Sequence, residues 1–139
     1  MAHASVFLKA LTPEAKAALG GDILEINNFP FKVGRESREY DAPIGGTSRR
    51  RSDSPQNNDL YLHEPGTVLN VSREHFQIEQ REAAYVLVDR GSTCGTIIEG
   101  EIVGGRREGG WRQLQNNDVI IVGISESPFV FKFVVTMVP

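Results

Sequence analysis

Between Phe129 and Met137 the chain alternates strictly. Phe129, Phe131, Phe133, Val135 and Met137 fall on one face, and Val130, Lys132, Val134 and Thr136 on the other. A period of two belongs to a half-buried strand, so this segment is expected to line the core. Shorter runs repeat the pattern, for example Phe76 and Ile78, then Tyr85 and Leu87. On this basis strands are placed near 5–11, 22–27, 31–34, 59–62, 75–81, 84–89, 95–103, 111–114, 118–122 and 129–137. The connections carry Asn27-Asn28, Gly45-Gly46, Asn57-Asn58, Gly104-Gly105, Gly109-Gly110 and Asn116-Asn117, residue types that accept positive φ. Many short strands with polar turns predict a β-sandwich.

One segment departs from this period. "TPEAKAALGG" has Thr12 as N-cap, Pro13 at the first helical position, an Ala-rich interior and Gly20 or Gly21 to end it, which predicts a short N-terminal helical connector. The longest irregular stretch runs from Glu36 to Asn58. It exceeds the ~12–15 residues an ordinary connection spans, so residues 36–58 are expected to form a long, mobile insertion loop. The apolar segments on either side are each too small for an independent core, and a single domain is expected over 1–139.

Composition narrows the function classes. With 40% hydrophobic and 24% charged residues in 139, the chain has the make-up of a soluble globular protein. No apolar run approaches the ~20 residues of a membrane helix, and the N-terminus lacks the basic-then-apolar order of a signal peptide. A single cysteine, Cys94, excludes an internal disulfide and suits a reducing compartment, so a cytoplasmic location and no membrane association are expected. The net charge of -3 argues against nucleic acid as a partner. The local exception is the basic run Arg49, Arg50 and Arg51, flanked by Thr47, Ser48, Ser52 and Ser54. It reads as a solvated loop, and the flanking hydroxyls leave open that it is itself a kinase target.

Signatures of catalysis are missing. The sequence contains no G-x-S-x-G, no G-x-x-x-x-G-K-[ST] and no H-E-x-x-H, and His3, His63 and His75 are not at metal-ligand spacing. Glu99 and Glu101 would form a carboxylate pair on one strand face, but a turn through Glu99-Gly100 is expected to separate them. We therefore expect no catalytic residues, no metal, no cofactor and no enzymatic activity. What remains are groups that favour anions: Arg35 in "VGR", Ser72 and Arg73 in "VSREH", and the Ser92–Thr96 run "STCGT". Arginine offers a charged planar fork to phosphate oxygens, and hydroxyls and turn N–H groups add neutral donors. Singly, each also suits an ordinary surface charge or turn former.

In order, "FKVGRES", "VSREHFQIE", "YVLVDRGSTCGTIIEGEIV", "LQNNDVIIVG" and "FVFKF" resemble the forkhead-associated (FHA) domain, a reader of phosphothreonine peptides, over about residues 5–137. The resemblance implies an all-β sandwich of about eleven strands, of the SMAD/FHA type, whose loops at one end bind the peptide. It implies phosphate binding by Arg35, Ser72, Arg73 and Thr93, with Thr93 also bordering a pocket for the threonine methyl group. Asn70 and Cys94 would contact the peptide or set selectivity, and Gly34, His75, Gly95 and Thr96 would be site scaffold. Cys94 stands where the family usually carries an asparagine that bonds the peptide backbone, and thiol is a weak partner by comparison. Glu99 similarly replaces a common asparagine. The expected function is phosphorylation-dependent recognition of a phosphothreonine-bearing protein, such as a Ser/Thr kinase substrate, in signalling. The alternative is a phosphate-independent scaffold of the same fold that works through sheet faces or edges. Neither reading defines an oligomeric state.

Overall fold

The computed structural model describes residues 3–36, 57–64 and 69–138. The expected insertion at 36–58, with its arginine triplet, lies almost wholly outside the described residues. Among those residues the chain forms eleven strands and one helix. In order these are β1 (His3–Ala10), α1 (Pro13–Leu19), β2 (Ile23–Ile26), β3 (Phe31–Arg35), β4 (Leu60–Leu62), β5 (Phe76–Arg81), β6 (Ala84–Asp89), β7 (Thr96–Ile98), β8 (Glu101–Val103), β9 (Gly110–Leu114), β10 (Val119–Val122) and β11 (Val130–Val138).

The strands make two sheets, one ordered β2-β1-β11-β10-β7-β8 and the other β4-β3-β5-β6-β9. All pairings are antiparallel except β3 with β4, where Val33 lies opposite Leu60 and Arg35 opposite Leu62. The stretch 95–103 divides into β7 and β8. Glu99 and Gly100 both take positive φ, 49° and 83°, the geometry of a two-residue hairpin turn. That turn removes the carboxylate pair from consideration. Glu99 accepts a bond from the Val119 N–H at 2.8 Å, while Glu101 pairs with Arg112 at 3.3 Å.

The alternation in β11 meets the core as its pattern requires. Phe129, Phe131 and Phe133 are buried, and Met137 runs beyond the core edge at 66% exposure. Across the sheet interface Phe133 meets Tyr85 at a ring-centroid distance of 5.7 Å, and Tyr85 meets Phe29 at 5.6 Å. Val33, Leu62, Ile78 and Leu87 supply the facing layer from the second sheet. A single hydrophobic cluster thus joins both sheets. Helix α1 links β1 to β2. Thr12 accepts the Ala15 N–H at 3.1 Å, Ala15 is fully buried, and Gly20 ends the helix at φ 75°. No helix among the described residues is long and apolar enough to cross a membrane.

Because β3, β6 and β8 end where β5, β7 and β9 begin, the segments around 35, 69–75, 90–95 and 104–109 gather at one end of the sandwich. Phe133 ties the two sheets that carry them. Phe133→Ala is expected to cost about 3–5 kcal/mol, measured by urea unfolding, with an unchanged denaturant slope showing that the cost falls on the native core.

Candidate functional site

Arg35 is the last residue of β3, and its backbone N–H donates to Ser72 O at 2.9 Å. Its Nη1 donates to Val71 O at 2.7 Å, which holds the guanidinium against the segment that carries Ser72. The Ser72 hydroxyl in turn accepts the backbone N–H of Thr93 at 3.0 Å. These contacts bring three chain segments, remote in sequence, within hydrogen-bonding distance of one another. Arg73 and Thr93 are exposed, whereas Ser72 and Cys94 are half-buried. Cys94 is a free thiol.

Beneath this surface lies a buried imidazole. The His75 ring is fully buried, accepts the Ser72 N–H on Nδ1 at 3.0 Å, and has Nε2 2.7 Å from Gly95 O. An amide can only donate and a carbonyl can only accept, so this pairing requires the neutral ring with its proton on Nε2. The ring therefore joins the Ser72 segment to the Gly95 turn. Burial lowers the His75 pKa from its ordinary 6.5. The hydrogen bond to Gly95 and the charges of Asp89 and Glu64 oppose the shift, and Arg90 adds to it.

Gly34 stands where β3 passes the Ser72 segment closely. A Cβ there would lie 1.9 Å from Arg73 O and 2.7 Å from the Asn58 amide. Gly95, at φ 80°, donates its N–H to Ser92 Oγ at 3.0 Å. Thr96 is fully buried at the head of β7, and its hydroxyl makes no hydrogen bond among the described residues. Asn70 turns its side-chain amide onto Glu64 at 3.2 Å.

Several supporting residues escaped sequence reasoning. Buried Glu64 accepts the N–H groups of Asn70 and Val71 at 2.9 Å each, closing the segment just ahead of Ser72. Buried Asn58, read from sequence only as turn chemistry, donates to Arg73 O at 2.8 Å and accepts from Arg90. Arg90 also reaches Asn57 O at 2.9 Å. Burial lowers the Arg90 pKa, with Glu74, Asp59 and Tyr61 acting in opposition; guanidinium nonetheless stays protonated. Asp89 accepts the N–H groups of Gly91 and Ser92 and the Ser92 hydroxyl, building the turn that ends at Thr93. Only Asp89, as the acid ahead of "GSTCGT", carried a signal in sequence. Glu64 and Asn58 act over folded distances that leave no local mark. Among the described residues, no group of His, Cys, Asp and Glu is arranged to hold a metal ion.

The two sheets thus form a sandwich with a polar cluster of loop residues at one end. Residues 31–123, more than half of the chain, match the family model of the FHA domain, and the chain belongs to that family. Similar solved structures include the FHA domain of CT664 protein from Chlamydia trachomatis, at 22% identity and TM-score 0.59, covering 94% of this chain and 96% of that one. The kinase-interacting FHA domain of kinase associated protein phosphatase in Arabidopsis is 21% identical with TM-score 0.62, covering 98% and 97%. Mycobacterium tuberculosis EmbR, in complex with a low affinity phosphopeptide, is 19% identical with TM-score 0.58, covering 94% of this chain and 24% of that one. At these identities the likeness shows the fold. No curated protein sequence matches the chain.

Two outcomes are expected. Gly34→Ala should destabilise the domain by about 3 kcal/mol, because the blocking atom is backbone and cannot swing aside; an unchanged urea midpoint would contradict the close approach. For His75, the unfolded chain takes up a proton as pH falls below 6.5 while the buried ring resists it. Its contribution to stability is therefore complete above that value. It declines by at most ~1.4 kcal/mol per pH unit as pH falls, until the lowered folded pKa is reached. In urea titrations from pH 7.5 to 5, the difference in stability between the native sequence and His75→Asn should carry this slope.

Proposed function

We propose that this FHA domain recognises proteins phosphorylated on threonine, with Arg35, Ser72, Arg73 and Thr93 forming the phosphate site. The observation that carries this reading is the contact of the Ser72 hydroxyl with the Thr93 N–H, beside Arg35. Since Ser72 Oγ accepts from Thr93, its own hydrogen can point outward as a donor, and accepting one bond strengthens its donation of the next. A phosphate ester carries about -1.5 to -2 charge near pH 7. One guanidinium balances part of that charge, and Arg73, exposed on the same segment, supplies a second.

Thr93 borders the place where the threonine methyl group would lie, and half-buried Cys94 faces the peptide backbone with a weaker partner than the family's usual asparagine. Gly34, His75, Gly95 and Thr96 hold the loops without touching ligand, and Asn70 lies at the edge where flanking residues are chosen. The domain supplies recognition rather than chemistry, and its partner is the product of a Ser/Thr kinase in signalling, in a reducing compartment such as the cytoplasm. We assign residues 1–139 to one such unit. Support comes from FHA structures that carry a phosphopeptide or whose study concerned phosphothreonine-dependent interactions.

A second reading has one observation in its favour. On the outer face of the larger sheet, Ile102, Ile97, Ile121 and Val130 stand in cross-strand register, and Ile102 on edge strand β8 is 69% exposed. Such a row suits phosphate-independent docking. Binding of phosphothreonine, phosphoserine and unphosphorylated forms of one peptide library separates the two. We expect phosphothreonine ligands only, with affinity reduced about 10- to 100-fold by Arg35→Ala and roughly tenfold by Ser72→Ala. Equal binding of unphosphorylated peptides, insensitive to Arg35→Ala, would transfer the function to the sheet face.

A further inference from the structure

Beside the Ser72–Thr93 contact lies the turn between β8 and β9, with the sequence Gly-Gly-Arg-Arg-Glu-Gly from Gly104 to Gly109. Arg106 N–H donates to Thr93 O, and Arg107 N–H to Ser92 O, each at 2.8 Å. Thr93 is thus gripped from two sides, its N–H by Ser72 and its carbonyl by this turn. The turn is pinned from below as well. A Cβ on Gly104 would come within 2.2 Å of the Asp89 carboxyl carbon, and Glu108 N–H closes onto Gly105 O at 3.0 Å.

Four successive residues, Gly104 to Arg107, have positive φ: 76°, 101°, 55° and 60°. Glycine accepts that region without steric penalty and asparagine at small penalty, whereas arginine pays for its Cβ. Local strain retained at such positions, next to a binding surface, is a pointer to function. Both arginines are exposed, and among the described residues neither forms an ion pair, although Glu108 is their exposed neighbour. The nearby Asp89 carboxylate is buried and already engaged by Gly91 and Ser92. In a chain of net charge -3, this places two further cations at the end of the molecule that also carries Arg35 and Arg73.

The geometry points to a second anion subsite at Arg106 and Arg107, which takes a carboxylate or a second phosphoryl group carried by the same phosphothreonine peptide. This rests on the reading of Arg35, Ser72 and Thr93 as the phosphothreonine site. An extended peptide advances about 3.3 Å per residue, so the second acidic group lies within a few residues of the phosphothreonine, on its Thr93 side. Guanidinium forks suit either oxyanion bidentately, and the backbone bonds of the turn to Thr93 and Ser92 set where the two side chains begin.

The test is a phosphothreonine-centred peptide library, randomised at flanking positions to include Asp, Glu and phosphothreonine, titrated against the native domain and an Arg106→Asn/Arg107→Asn double variant. Asparagine tolerates the left-handed turn, so the variant's melting temperature should be equal or higher, which separates loss of charge from loss of fold. The native domain should enrich acidic residues at one or two flanking positions. The variant should lose affinity for those peptides roughly tenfold, and at most about twofold for the peptide with neutral flanks. Carboxylate and phosphoryl arms of the library show which anion is preferred. Unchanged enrichment in the variant, or none in the native domain, would overturn the subsite while leaving the phosphothreonine site standing. Failure of every phosphothreonine peptide to bind the native domain would overturn both.

Discussion

The neutral ring of His75 is the constraint on which the loop end of the sandwich depends. It sits in the core side of the loops, takes a hydrogen bond from Ser72 and gives one to Gly95. A buried imidazole can serve as donor and acceptor at once only when uncharged, and both partners here are backbone groups. One side chain thereby sets the distance between two segments twenty residues apart, 75 to 95. The Ser72 hydroxyl and Thr93 N–H meet above it as a consequence.

Around that ring the loops are held by polar groups rather than by hydrocarbon. Glu64 gathers the N–H groups of Asn70 and Val71, Asp89 gathers those of Gly91 and Ser92, and Asn58 with Arg90 ties Arg73 O to the strand side. Loops expose backbone donors that no strand pairs, so side chains must satisfy them when the loop packs inward. The same network leaves exposed the groups that can meet an anion, Arg73 and Thr93. Rigid support below and solvent access above is the arrangement a preorganised binding surface needs, since ordering cost has been met in folding rather than on association. The contact at Gly34 depends on a missing side chain, because the two backbones there approach to a distance no Cβ could share.

Much of the fold was legible along the chain. Alternation in β11, the Thr12-Pro13 start and Gly20 stop of α1, and the Glu99-Gly100 turn are local consequences of side-chain period and backbone conformation. The sheet order was not, because pairing of β1 with β11, or of β3 with β4 in parallel, joins segments whose contact depends on the whole core. The same division holds at the site. Arg35, Ser72, Arg73, His75 and Thr93 could be singled out by residue type and ordered motif, whereas Glu64, Asn58 and Arg90 could not, since a buried carboxylate or amide is marked by its partners alone. Arg106 and Arg107 read as part of a glycine-flanked turn until the hydrogen bonds to Thr93 and Ser92 placed them beside the site.

The chain by itself therefore determined which stretches are strands, where they turn, and which residue types have the chemistry to suit an anion, because those properties are local in period, charge and conformational preference. Tertiary structure alone decided that the loops meet at one end, that the imidazole between them is neutral, and that a strained arginine turn stands against Thr93. Each of these depends on distances between remote segments, and such distances exist only once both sheets have closed over the common core.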